Sequence, residues 1–445
     1  MTSTDLRSPT PGDDVPHDLV GVGLGPFNLA LAALADGVPG FDARFLEARP
    51  TFSWHPGLLL EGARLQVPFL ADLVSLVDPT SPWSFLSYLR EHDRLFPFYF
   101  SEHFHVPRRE YDDYCRWVAR SLDSCRFDAR VTAVHHEAGV FTVEHVDGEG
   151  TVTRTRGRAL VLGIGTEPVL PEPLRPLVGD RVLHAAEYLD KAAHLAGVDD
   201  ITVLGSGQSG AEVFLDLLRS ADHRESAVHW LTRSPAFAPM EYSKLGLEHF
   251  TPDYTRYFHG LPQETRDRVV PAQWQLYKGI SGDTIAEIHD VLYERGIAGA
   301  EVGVDLRAHC ELLAAEADGD GFALRFRHRE QDAEFTVRTG AVISASGYAQ
   351  RSPDFLAPIA KLIETDDRGR PLIDEDLRLV TDPTLTAPVH VQNAELHTHG
   401  VGAPDLGLGA WRAAVILNSI AGRPVYRLPE RTAFTSFGAP TGAGR

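Results

Sequence analysis

Two segments of this chain place an apolar, β-favouring run directly before a glycine-rich turn and an apolar helix, and this order restricts the fold more than any other feature. Ile201-Thr202-Val203-Leu204 leads into Gly205-Ser206-Gly207-Gln208-Ser209-Gly210 and a helical stretch over 211–218. The spacing Gly205-x-Gly207-x-x-Gly210 is the complete dinucleotide fingerprint. One glycine makes the tight turn, one lets the backbone approach a pyrophosphate, and one lets the helix pack closely on the strand. Near the start, residues 17–20 lead into Gly21-Val22-Gly23-Leu24-Gly25-Pro26, followed by helical spacing over 28–34. This first turn is imperfect, with Pro26 where the third glycine is expected. In both units the backbone N–H groups opening the helix would face the phosphates. Further short β-branched runs alternate with helical stretches, which predicts an α/β protein with two Rossmann-like domains.

The residue ending the second strand of each unit indicates the nucleotide. Arg44-Phe45-Leu46 ends in Glu47, an acid placed to accept from ribose hydroxyls. In the second unit the run 228–232 ends in Arg233, which suits a 2′-phosphate and favours NADPH over NADH. Two such units in one chain suggest that one holds a flavin and the other delivers hydride to it. The expected organisation is a disordered lead over 1–16 and a discontinuous FAD-binding domain over 17–195 and 341–445. An NADPH-binding domain over 196–340 carries a helical, aromatic-rich insertion at about 235–293, and a proline-marked linker (Pro168, Pro171, Pro173, Pro176) precedes the second unit.

Composition narrows the partners. Across 445 residues, 42 Lys+Arg face 62 Asp+Glu, a formal charge of -20 that disfavours nucleic acid. The sequence has no apolar run long enough to span a membrane, and its polar, proline-rich start does not read as a signal peptide. Cys115, Cys125 and Cys310 form no CxxC and no zinc spacing. His397 and His399 have no acidic or cysteine partner at ligand spacing, so no metal is expected. The expectation is a cytoplasmic protein.

Between and after the two units the motifs become specific. Phe52-Ser53-Trp54-His55-Pro56-Gly57-Leu58 is followed by Leu65-Gln66-Val67-Pro68-Phe69-Leu70-Ala71-Asp72, and then by Pro107-Arg108-Arg109-Glu110-Tyr111. Gly207-Gln208-Ser209-Gly210-Ala211-Glu212, Glu248-His249-Phe250-Thr251-Pro252, Gly279-Ile280-Ser281, Ala345-Ser346-Gly347-Tyr348 and Ala410-Trp411-Arg412 complete the set. From about Asp18 to Tyr426 the chain resembles the microbial flavin-dependent N-hydroxylating monooxygenases of siderophore synthesis. The Gly279 region looks most like the lysine-hydroxylating branch.

The resemblance implies bound FAD, NADPH as reductant, O2 and a small-molecule amine as substrates, and a flavin C4a-hydroperoxide attacked by the neutral amine. Trp54, His55, Leu58 and Gln66 would lie along the flavin, with Trp54, His55 and Gln66 nearest the chemistry. Ser346, Gly347 and Tyr348 would link the nucleotide domains, and Gly407-Leu408, with the helix carrying Trp411, would approach the flavin's pyrimidine side. Relatives also suggest a homo-oligomer, dimer or tetramer. Gln66, Ala71, Leu247 and Gly279 would contact the substrate. Two of these depart from the family pattern: Ala71 stands where the amino-acid hydroxylases have a lysine for the substrate carboxylate, and Leu247 where the ornithine enzymes have an asparagine. The expected substrate is therefore an aliphatic diamine, cadaverine ahead of putrescine, with lysine or ornithine as the alternative. A monooxygenase of sulfides or ketones is more distant, because Gly179 is one residue too far from His184 for that fingerprint. A flavin-binding regulator without turnover is the non-enzymatic alternative.

Overall fold

The computed structural model describes residues 15–220, 227–351 and 353–440, and the expected lead over 1–16 lies almost wholly outside them. Two five-stranded parallel sheets organise the chain. The first runs in the order Val389–Val391, Leu160–Leu162, Leu19–Val22, Ala43–Leu46, Cys125–Arg126. The second runs Val304–Arg307, Ala227–Leu231, Asp200–Leu204, Ala341–Ser344, Val182–His184. Leu19–Val22 and Ala341–Ser344 are buried at every position, which is why they read as continuous apolar runs without alternation.

In the first unit, helix Pro26–Asp36 packs against helix Gly409–Ala421. The helix Pro26–Asp36 is alanine- and leucine-rich, and Gly409–Ala421 is similarly apolar, so both can be buried on most sides. A three-stranded antiparallel meander, Arg130–Glu137, Val140–Val146 and Val152–Gly157, stands beside the sheet, and its alternating burial marks one solvated face. In the second unit a matching meander is formed by Cys310–Asp318, Gly321–His328 and Ala333–Thr339.

The domain limits differ from those expected at 195/196 and 340/341. Val182–His184 and Ala341–Ser344 both pair in the second sheet. The chain passes between the units through a two-stranded antiparallel ribbon, Thr166–Pro168 with Tyr348–Gln350. The helical insertion is also shorter than expected. Helix Gly282–Arg295 lies against helix Gln208–Arg219 and is the crossover of the second Rossmann unit, with Ile288 in that unit's core. The helices Pro252–His259 and Gln263–Ala272 form the insertion proper. Tyr254 and Phe258 pack there with Val401 and the tail residue Phe437. Among the described residues no helix is long and apolar enough to cross a membrane.

Candidate active site

The first glycine turn is shaped by close approaches. Gly23 has φ +82°, and a Cβ there would fall 2.6 Å from the Gly163 carbonyl oxygen; at Gly21 it would enter the Phe45 ring. Asn28 fixes the turn. Its Nδ2 donates to the carbonyls of Gly23 (2.7 Å) and Val22 (3.2 Å), and its Oδ1 accepts from Gln392 Nε2 at 2.8 Å. Gly25 differs, because a Cβ there would meet no protein atom within 4 Å. It caps helix Pro26–Asp36 without a side-chain hydrogen bond and with no acid in the first turn, so no side chain caps the N–H groups there. Glu47 accepts from Leu24 N–H at 2.8 Å and from Arg49 N–H at 2.9 Å, so its carboxylate lies over the turn. This cradle fits the pyrophosphate and ribose of FAD.

The second turn assigns each glycine a separate task. Gly205 has φ +115° and lies against the Ala345 carbonyl, and Gly210 packs against the Gly205 carbonyl. At Gly207 the nearest atom to a Cβ would be 3.7 Å away, so this is where the backbone can approach a phosphate. Trp230 Nε1 donates to the Gly205 carbonyl at 2.8 Å and holds the turn from the neighbouring strand. Ser209 occupies the first turn of helix Gln208–Arg219, and Arg233 stands exposed just beyond strand Ala227–Leu231.

A row of rings connects the two units. Trp54 meets His55 at 5.0 Å and Tyr111 at 5.2 Å, His55 meets Tyr348 at 5.8 Å, and Tyr348 meets His184 at 5.2 Å. Asp112 accepts from the Trp54 backbone N–H at 2.8 Å. His184 Nδ1 accepts from Ala186 N–H and its Nε2 donates to the Gly347 carbonyl, which fixes a neutral tautomer. His55 has a left-handed backbone, φ 48°. Surrounding protein atoms lower its pKa most, followed by the charges of Arg108 and Arg49, and these favour a neutral ring even though one side is open to solvent. Gly347 (φ +88°) turns the chain into the ribbon, and the Ser346 hydroxyl bonds to Ser344 and to the Val169 carbonyl.

Gln66 Nε2 is buried and has no hydrogen-bond partner within the protein, as a donor to a bound group would be. Gly407 N–H donates to Asp405 Oδ1 at 2.7 Å, and a Cβ on Gly407 would lie 3.9 Å from the Cβ of Ala71. The turn Leu406–Leu408 therefore presses onto the segment that follows Gln66. Arg412 holds this arrangement from behind. It pairs with Glu395 at 3.0 Å, both buried, donates to the carbonyls of Gly402, Ala403 and Asp405, and lies over Phe27 at 4.2 Å.

Three further expected site residues have these surroundings. Leu58 is 3% exposed in the core of the second unit, so its side chain serves packing. A Cβ on Gly279 would lie 2.5 Å from Met240 N, and this close backbone approach accounts for the glycine. Leu247 is 37% exposed on the turn Gly246–Phe250. Leu408 is buried, and Trp411 lines a cavity of about 420 Å³ with Thr255, His259 and Asn418. His397 Nε2 donates to the Pro371 carbonyl, and His399 Nδ1 bonds to Thr398.

No sequence pattern by itself gives a role to Asn28, Glu212, Asp405, Arg412 or Glu395. Glu212 and Arg412 lie inside motifs that carry the family resemblance, and Asp405 has only its proximity to Gly407 to point to it.

Comparison with known proteins agrees with this geometry. The family model described as L-lysine 6-monooxygenase/L-ornithine 5-monooxygenase matches residues 15–350. The chain is 42% identical to a putrescine N-hydroxylase of Shewanella oneidensis over 424 residues, 95% of this chain and 84% of that protein. It is 44% identical to the rhizobactin siderophore biosynthesis protein RhbE of Rhizobium meliloti, over 95% of each. The crystal structure of the FAD-bound cadaverine monooxygenase DfoA of Erwinia amylovora superposes with a TM-score of 0.92 at 38% identity, covering 96% of this chain and all of that one. With two glycine turns at the ends of parallel sheets, rings bridging the units and a match over most of its length, the chain belongs to the L-lysine 6-monooxygenase/L-ornithine 5-monooxygenase family.

Proposed function

We propose that the chain hydroxylates one primary amine of an aliphatic diamine, cadaverine ahead of putrescine, to supply a hydroxamate siderophore pathway. The balance is R–NH2 + O2 + NADPH + H⁺ giving R–NHOH + H2O + NADP⁺. Bound FAD would take electrons from NADPH and activate O2 for transfer to the amine nitrogen. The first unit would bind FAD through the helix after Gly25, with Glu47 on the ribose. The second would bind NADPH over Gly207 and Ser209, with Arg233 on the 2′-phosphate. Gln66 would donate to the flavin or the amine, while Trp54 and His55 exclude water. A neutral His55 leaves the reacting amine as the group that must lose its proton. The chain would act in the cytoplasm, where NADPH is regenerated, as a homo-oligomer.

The diamine reading rests on one observation: the carboxylate of Asp405 stands at the Gly407 turn, which packs against Ala71. Where the amino-acid hydroxylases have a cation for a substrate carboxylate, this site has a methyl group near an acid. Surrounding protein pushes the Asp405 carboxyl up, a cost that an arriving ammonium would offset. Tyr242 of the insertion lies in the same field, its phenol pushed up to about 12 by burial and then by Asp405 and Asp283. Such a wall favours an ammonium and repels a carboxylate. The test is amine-stimulated hydroxylamine formation with cadaverine, putrescine, lysine and ornithine measured side by side. A tenfold preference for lysine in kcat/KM would overturn the diamine reading and leave N-hydroxylation standing.

A further inference from the structure

Helix Leu95–Ser101, sequence LFPFYFS, has no buried residue. Phe96 is 76% exposed, Tyr99 72%, Phe100 73% and the following Phe104 53%. At about 200 Å² per aromatic side chain, these four rings leave on the order of 500 Å² of apolar surface in one place. A stable interface buries about 800 Å² on each partner, so the cluster would supply well over half of one side. Isolated exposed apolar residues need no explanation, but a contiguous aromatic cluster of this size does.

We infer that this helix is a contact surface for a second copy of the same chain. The charges beside it favour that occupant. Arg90 is exposed beside Glu91, Asp93 and Glu102, while Arg94 is held at 2.6 Å by Glu110 of its own chain, so a two-fold contact can set Arg90 of each copy against an acid of the other. A formal charge of -20 disfavours an anionic lipid surface. Beside the projecting helix runs a groove of about 160 Å³ lined by Arg94, Phe98, His103 and Glu110. A projection next to a concavity is what a self-complementary contact requires.

The surface reaches the active site through one residue. Phe69 stands three positions after Gln66 and two before Ala71. Its ring meets Phe98 at 5.3 Å and Phe104 at 5.4 Å, and its N–H donates to the Phe104 carbonyl at 2.9 Å. A partner covering the helix would therefore brace the segment that carries Gln66.

This inference rests on the proposed self-association and names its surface. The test is the mass of the full, FAD-loaded chain by sedimentation velocity across a hundredfold concentration range, for wild type, Phe96→Glu/Phe100→Glu and the milder Phe96→Ser/Tyr99→Ser. The expected result is an oligomeric wild type, with both variants shifted to smaller species while keeping FAD stoichiometry and circular dichroism. A wild type that stays monomeric refutes both self-association and the surface. An unchanged mass in the two variants refutes the surface alone. Co-sedimentation of the wild type with phosphatidylserine vesicles, abolished in both variants, would assign the helix to a membrane instead and overturn the inference.

Discussion

Arg108 Nη1 lies 2.7 Å from Glu212 Oε2, both side chains largely buried, and the pair joins helix Arg108–Ser121 of the first unit to helix Gln208–Arg219 of the second. Glu212 Oε1 accepts from Gln208 Nε2 at 2.8 Å, and Gln208 Oε1 accepts from Ser281 N–H at 2.7 Å. Gln208 opens the helix that would face the NADPH phosphates. The network therefore runs from the nucleotide turn to a guanidinium whose charge also acts on His55 and Tyr348. A second tie lies nearby, where a Cβ on Gly57 would strike the Ala186 carbonyl at 2.0 Å. The Trp54–Leu58 loop thus packs directly on the second unit as well as on its own.

Breaking a buried pair by removing one partner costs about 3–5 kcal/mol, because the other charge is left uncompensated. Glu212→Gln should lower thermal stability and slow flavin reduction by NADPH more than it weakens NADPH binding. Stopped-flow reduction over a range of NADPH concentrations separates the two. An unchanged limiting rate would restrict the pair to a purely structural role.

Arg233→Ala should weaken NADPH far more than NADH. A hydrogen bond to a charged group contributes about 1.5–3 kcal/mol, or roughly ten- to a hundredfold in affinity. Equal losses for the two nucleotides in steady-state kinetics would remove Arg233 as the 2′-phosphate reader.

Asp405→Asn keeps an acceptor for the Gly407 N–H and removes the charge. It should cut kcat/KM for cadaverine by roughly ten- to a hundredfold while leaving FAD content and the rate of flavin reduction near wild type. Ala71→Lys offers the converse, with diamine turnover falling and lysine becoming less disfavoured. Retention of full diamine activity in Asp405→Asn would show that another group holds the distal ammonium.

The reacting nitrogen must be unprotonated, and a free alkylamine has a pKa of about 10.4. Hydroxylamine formation should therefore rise with pH through the weakly alkaline range while flavin reduction changes less. A flat hydroxylation profile would argue against amine deprotonation as a controlling step.

Acid should loosen the insertion through Asp267. Its carboxylate takes Arg370 in a two-pronged contact at 2.7 and 3.2 Å, with Arg368 at 3.1 Å, and the Arg370 hydrogen bonds hold its pKa below the ordinary value. A depressed folded-state pKa stabilises above the unfolded value of about 3.9, and this stabilisation is lost as pH falls through the depressed value. Asp267→Asn should therefore be less stable than wild type in urea at pH 7, with the gap closing below about pH 4. A gap independent of pH would mean that the ion pair contributes nothing.

The sequence alone determined the features encoded by neighbours along the chain. The strand–turn–helix order at Gly21–Pro26 and Gly205–Gly210, the acid at 47, the arginine at 233 and the helical character of the insertion are local patterns of period and turn chemistry. Tertiary structure decided which strands pair and which side chains meet. Val182–His184 and Ala341–Ser344 are short apolar runs that either sheet could accept by composition, and only the parallel pairing of Ala341–Ser344 with Asp200–Leu204, and of Val182–His184 with Ala341–Ser344, assigns them to the second. Leu58 reads like its flavin-loop neighbours, yet its side chain fills the second unit's core. The Gly407 turn that Asp405 caps meets Ala71 only through the packing of whole elements, and Arg108 meets Glu212 only where the two units close on one another. Such partners lie a hundred or more residues apart and leave no periodic trace, because their proximity is fixed by the packing of whole elements.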